Sequence, residues 1–116
     1  MNEAERDANA MQTRMDELKR KFAARMGVDL GQMREALARL GTGQPDDKGG
    51  ALAQIHHLAH RACGTCGTLG LLALSDAAAD LERRIEACPK DEMPGSAACV
   101  QIAAGIDKIA AQVELI

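Results

Sequence analysis

The sequence predicts an all-α protein, and three observations carry that expectation. Alanine, leucine and methionine dominate a chain that is 47% hydrophobic and 1% aromatic. β-Branched residues are few, and apolar positions recur at intervals of three and four, which favours helix over strand along nearly the whole length. Each apolar stripe is one seam, not a full circumference, so each helix buries one face and wets the other. Short breaks between such segments imply an antiparallel up-and-down four-helix bundle with an additional N-terminal helix. With 116 residues the chain has enough core for one domain, expected to span 1–116.

The first helix is expected over about 3–26. Asn2 followed three residues later by Glu5 is a capping-box-like start, and Met11, Met15, Leu18, Phe22 and Met26 form the stripe before Gly27. Asp29 then reads as an N-cap, opening a second helix over about 29–40 with the stripe Leu30, Met33, Leu37, Leu40. The Gly- and Pro-bearing run 41–50 reads as a loop, because both residues oppose helix continuation. A third helix over about 48–68 carries Leu52, Ile55, Ala59, Ala62 and Cys66, with Leu69 next in register. A fourth over about 70–87 carries Leu71, Leu74, Ala78, Leu81 and Ile85. After the segment from Cys88 to Gly95, a fifth over about 95–115 carries Cys99, Ile102, Ile106, Ile109 and Val113, with Ile116 just beyond.

Composition excludes several function classes. Fourteen Lys+Arg against 17 Asp+Glu give a net charge of −3, and with no Trp or Tyr the chain lacks both the basic footprint and the stacking platforms of a nucleic-acid binder. The N-terminus is charged on both signs with no apolar run behind it, and no segment approaches the roughly 18 apolar residues of a membrane span. A cytoplasmic protein is expected, with no nucleic-acid or membrane partner. In that compartment Cys63, Cys66, Cys88 and Cys99 are expected as thiols. No Gly-rich nucleotide motif is visible, so self-phosphorylation from ATP is not expected.

The third helix holds the informative residues. At about 100° per residue, its seam places Gly64 and His57 almost opposite the core, with His60 and Gly67 beside them. Glycine inside a helix costs on the order of 1 kcal/mol relative to alanine, and core packing offers little reason for it on an outward face. A bare Gly64 one turn beyond His60 would instead let another protein's surface approach the imidazole. A neutral imidazole offers a nucleophilic lone pair, so His60 is a candidate acceptor of a transferred group.

The run from His60 through Gly64, Leu69-Gly70 and Leu74 to Leu81-Glu82 resembles the histidine phosphotransfer (HPt) domain signature: His-x-Leu-Lys-Gly, then Leu-Gly, then Leu and a closing Leu-Glu. Two positions depart from it. Ala62 stands where the family usually has Leu, and Cys63 where it often has Lys, which removes a cation that steadies phosphate. The resemblance implies a phosphocarrier without its own ATP site. Its partners would be the receiver domain of a hybrid sensor kinase, which offers an aspartyl phosphate, and a response-regulator receiver that takes the group from His60. The receiver's own metal and lysine would supply much of the charge neutralisation. The carrier itself needs no cofactor or metal. His57, Arg61, Cys63, Gly64 and Gly67 are the expected docking and supporting residues, with Arg61 solvated on the other side of the helix. A monomer is expected, since no seam is left over once the bundle forms.

A rival reading takes His56, His60, Cys63 and Cys66 as a metal or redox site. The first three fall at i, i+4 and i+7, and Cys63 to Cys66 is a C-x-x-C. Cys66, however, points into the seam, and this C-x-x-C sits near a helix C-terminus, where the dipole does not lower a thiol pKa. A purely structural helical adaptor explains the seams but not an outward His-Gly strip.

Overall fold

A computed structural model describes residues 2–41, 47–89 and 94–116. These form four helices: α1 (Glu3–Gly41), α2 (Asp47–Leu69), α3 (Leu72–Glu86) and α4 (Ser96–Glu114). There is no strand among the described residues. The start of α1 is a reciprocal capping box, with the Glu5 amide donating to Asn2 Oδ1 at 2.8 Å and the Asn2 amide donating to a Glu5 carboxylate oxygen at 3.2 Å.

The expected break at Gly27 does not occur. One 39-residue helix replaces the two expected over 3–26 and 29–40, so the bundle has no separate extra N-terminal helix. The reason is energetic. The seam runs unbroken through Phe22, Met26, Leu30 and Met33, all of them buried. Each such side chain contributes about 1.5–3 kcal/mol of burial, more than the roughly 1 kcal/mol that Gly27 or Gly31 costs in a helix interior. Asp29 is accordingly a mid-helix residue and not an N-cap.

Each helix meets two others, α1 touching α2 and α4, and α3 touching the same two. Cross-helix pairs fix the register. Arg39 donates to Gln54 at 2.7 Å while Arg61 pairs with Asp29, so positions rise along α1 as they fall along α2. The same inverse order relates His60 with Glu82 to Cys63 with Ser75, and Arg84 with Gln101 to Asp80 with Lys108. The core between the helices includes Met26, Met33, Ile55, Cys66, Leu81, Ile102, Ile106 and Ile109. Gly105 lets α4 approach α3 closely: a Cβ there would lie 2.9 Å from Leu81 Cδ1.

Element ends shift modestly. The helix expected from about 48 starts at Asp47, so Lys48, Gly49 and Gly50 follow that expectation and not the loop reading of 41–50, whereas 42–46 of that loop and 90–93 of the later one lie outside the described residues. The α2–α3 junction is tight. Gly70, at φ +73°, closes α2 with its amide on the Gly67 carbonyl, and the Leu71 amide returns to the Cys66 carbonyl at 2.9 Å, a Schellman-type cap. At 39 residues, α1 spans about 58 Å and outlasts its partners, giving a molecule of 62 × 21 × 19 Å. Residues 3–14 are exposed, so Met11, expected in the buried stripe, stands in solvent and the buried stripe starts with the half-buried Met15.

Candidate functional site

The Schellman cap and the α2–α3 pairing hold the middle of α2 against the last turns of α3. Ala59, Ala62 and Cys66 are buried on the seam side. His57, His60, Gly64 and Gly67 are all exposed on the other. An ideal Cβ at Gly64 or Gly67 would meet nothing within 4 Å. No contact inside the bundle therefore asks for glycine at either position.

His60 is 75% exposed, and its Nδ1 lies 3.1 Å from a carboxylate oxygen of Glu82, whose side chain is only 14% exposed. A carboxylate can only accept, so in the neutral ring Nδ1 carries the hydrogen and donates it. The lone pair is then on Nε2, for which no hydrogen-bond partner is found among the described residues. The ring of His56 stacks on that of His60, with centroids 6.4 Å apart and planes 5° from parallel. His56 in turn contacts Glu86 through Nε2 at 2.9 Å. One face of the His60 imidazole is thus buttressed by a second ring, and its inner nitrogen is tied to α3.

From sequence alone, Glu82 is expected to hold helices together by a hydrogen bond and is assigned no chemistry. Its signal was present as the closing Leu81-Glu82 of the signature, but only the opposed running of α2 and α3 places position 82 beside position 60. Cys63 is half-buried and faces α3, where its thiol lies 3.4 Å from Ser75 Oγ while the Ser75 hydroxyl donates to the Cys63 carbonyl at 3.2 Å. It packs two helices together and does not present a free group to a visitor.

Arg61 departs from its expected solvated setting. Its guanidinium donates to both carboxylate oxygens of the buried Asp29 at 3.0 Å. A charged carboxylate taken out of water needs such a partner, so Arg61 clamps α2 to α1. Beside it a shallow groove between α1 and α2, lined in part by Val28, His57 and Leu58, opens to solvent.

The rival set is not assembled. Cys66 is fully buried, and burial with nearby Cys63 pushes its thiol up to about 11 from an ordinary 9.0. That shift makes it a poor thiolate for redox work or for metal capture. All four cysteines are free. Among the described residues the one convergent ligand set is His56 with Glu82 and Glu86.

Residues 17–114 match the family described as the Hpt domain. The chain belongs to the Hpt domain family. Hpt domains are helical phosphocarriers of phosphorelays, so membership implies histidine phosphotransfer with receiver domains. The matched span begins near the point where α1 enters the bundle and takes in α2, α3 and α4. No curated protein and no solved structure matches the chain. No helix among the described residues is long and apolar enough to cross a membrane.

Proposed function

We propose that this Hpt domain is a phosphorelay intermediate whose acceptor is His60. In this reading the Nε2 lone pair attacks the phosphorus of a receiver's aspartyl phosphate. The N–P bond forms as the acyl-phosphate O–P bond breaks, and the aspartate leaves as a carboxylate. A second receiver reverses the step, its aspartate attacking phosphorus while Nε2 departs with the bonding pair. The observation that carries the proposal is the ring itself: largely exposed, with Nδ1 held by Glu82, Nε2 without a hydrogen-bond partner among the described residues, and an uncovered Gly64 one turn away.

The geometry has direct chemical consequences. Phosphorylating Nε2 while Nδ1 keeps its hydrogen puts positive charge on the ring, and the Glu82 carboxylate lies where that charge develops. In-line approach requires clearance for a receiver's loops, which the His57–Gly64–Gly67 face supplies. The donor would be the receiver of a hybrid sensor kinase and the acceptor a response regulator. In this proposal the carrier works in the cytoplasm as a monomer and as one antiparallel up-and-down bundle over 1–116.

The test is transfer from a radiolabelled receiver. The protein acquires a label that acid removes and alkali spares, and His60→Gln abolishes it while helical circular dichroism is unchanged. Label that persists in folded His60→Gln refutes the assignment.

A further inference from the structure

Three other acidic side chains of the bundle are paired with full cations. Asp29 has Arg61, Asp80 has Arg84 with Arg83 and Lys108 nearby, and Asp107 has Arg34. Glu82 and Glu86, one turn apart on α3, differ. Among the described residues neither pairs with a lysine or arginine; their only ion-pair partners are the imidazoles of His56 and His60. Two carboxylates therefore converge on histidines that need not carry charge at neutral pH.

The convergence has the dimensions of a metal site. His56 Nε2 lies 2.9 Å from a Glu86 oxygen and 3.9 Å from a Glu82 oxygen, and the three ligand atoms lie within 4.8 Å of one another. Zinc binds imidazole nitrogen and carboxylate oxygen at about 2.0–2.2 Å, so tetrahedral ligand atoms sit about 3.4 Å apart. The observed separations of 2.9 and 3.9 Å from His56 Nε2 bracket that spacing. One imidazole and two carboxylates are a borderline-hard donor set suited to zinc, with the fourth position open to water beside the 60% exposed Glu86.

We propose that His56, Glu82 and Glu86 form a zinc-class divalent metal site that competes with His60 for Glu82. The same Glu82 oxygen serves both rings. A metal bound there withdraws the acceptor that fixes the His60 Nδ1–H, so loading would loosen the ring and slow its phosphorylation. The regulatory part rests on His60 being the acceptor; the binding part does not.

The experiment titrates metal-free, reduced protein with zinc chloride against a chromophoric chelator, and follows the imidazole nitrogens by NMR. One zinc per chain is expected, with His56 Nε2 shifted on binding and the His60 Nδ1–H losing its hydrogen-bonded position. His56→Ala and Glu86→Gln each weaken binding at least tenfold, while Cys63→Ser and Cys88→Ser leave it intact. The site is overturned by binding that survives His56→Ala, by binding lost with the thiols, or by no binding at all. An unchanged His60 Nδ1–H in the zinc-loaded protein overturns the competition. Because no phosphodonor is used, failure of the relay proposal would leave these results readable, and failure of zinc binding would leave the relay assay untouched.

Discussion

Removing the Glu82 carboxylate separates the two services it offers His60. Glu82→Gln keeps an oxygen that can accept from Nδ1 but loses the charge; Glu82→Ala loses both. At the observed 3.1 Å, a unit charge on the ring interacts with the carboxylate by about 1.3 kcal/mol at the dielectric of water and about 5 kcal/mol at an effective value of 20. The ring is 75% exposed, which favours the watery end of that range. About 1.3–1.4 kcal/mol corresponds to roughly a tenfold slower transfer for Glu82→Gln. Losing the orienting hydrogen bond as well adds about 0.5–1 kcal/mol, for roughly 30-fold in Glu82→Ala. Rapid-quench single-turnover transfer from a labelled receiver measures both, with circular dichroism as the control for folding. Rates within twofold of wild type in both folded variants would refute the positioning role.

Gly64→Ala should raise stability by about 0.5–1 kcal/mol, because nothing lies within 4 Å of the new methyl, yet slow receiver transfer; urea unfolding beside the labelling assay checks the opposed signs. Arg61→Met leaves the buried Asp29 carboxylate without its two hydrogen bonds. A loss of about 2 kcal/mol is expected in chemical denaturation, at the lower end for a broken pair since Arg61 is 38% exposed. Cys66 ionises less readily folded than unfolded, so its stabilising contribution is complete below about pH 9 and lost as pH rises towards about 11. Cys88, raised by burial and by Cys99, acts in the same direction. Urea midpoints should therefore fall as pH rises from 9.0 to about 11, and the fall should be smaller in Cys66→Ala.

Much of this molecule is legible in one dimension because helical periodicity is a local property. The seams Ile55–Ala59–Ala62–Cys66 and Leu74–Ala78–Leu81–Ile85 are buried as their spacing requires, and the capping box at Asn2 and Glu5 forms as written. The outward face of α2 follows from the same arithmetic, since residues turn by a constant angle once the seam is known. Where local signals conflict with the seam, as at Gly27 and Asp29, the local reading errs: a glycine and a capping residue describe what the backbone tolerates, whereas burial of Met26, Leu30 and Met33 depends on partners elsewhere in the chain.

The amino-acid order by itself determined the helical class, the seams, and an exposed histidine beside glycines. Tertiary structure alone decided which side chains meet across helices: Asp29 with Arg61, Cys63 with Ser75, and above all Glu82 with His60 and His56. The physical reason is range. Periodicity acts over one turn of one helix, but a hydrogen bond between residues 22 positions apart exists only after two helices have been packed in a particular register. That register is set by the summed burial of their seams and by the Gly70 turn, and no single residue announces it.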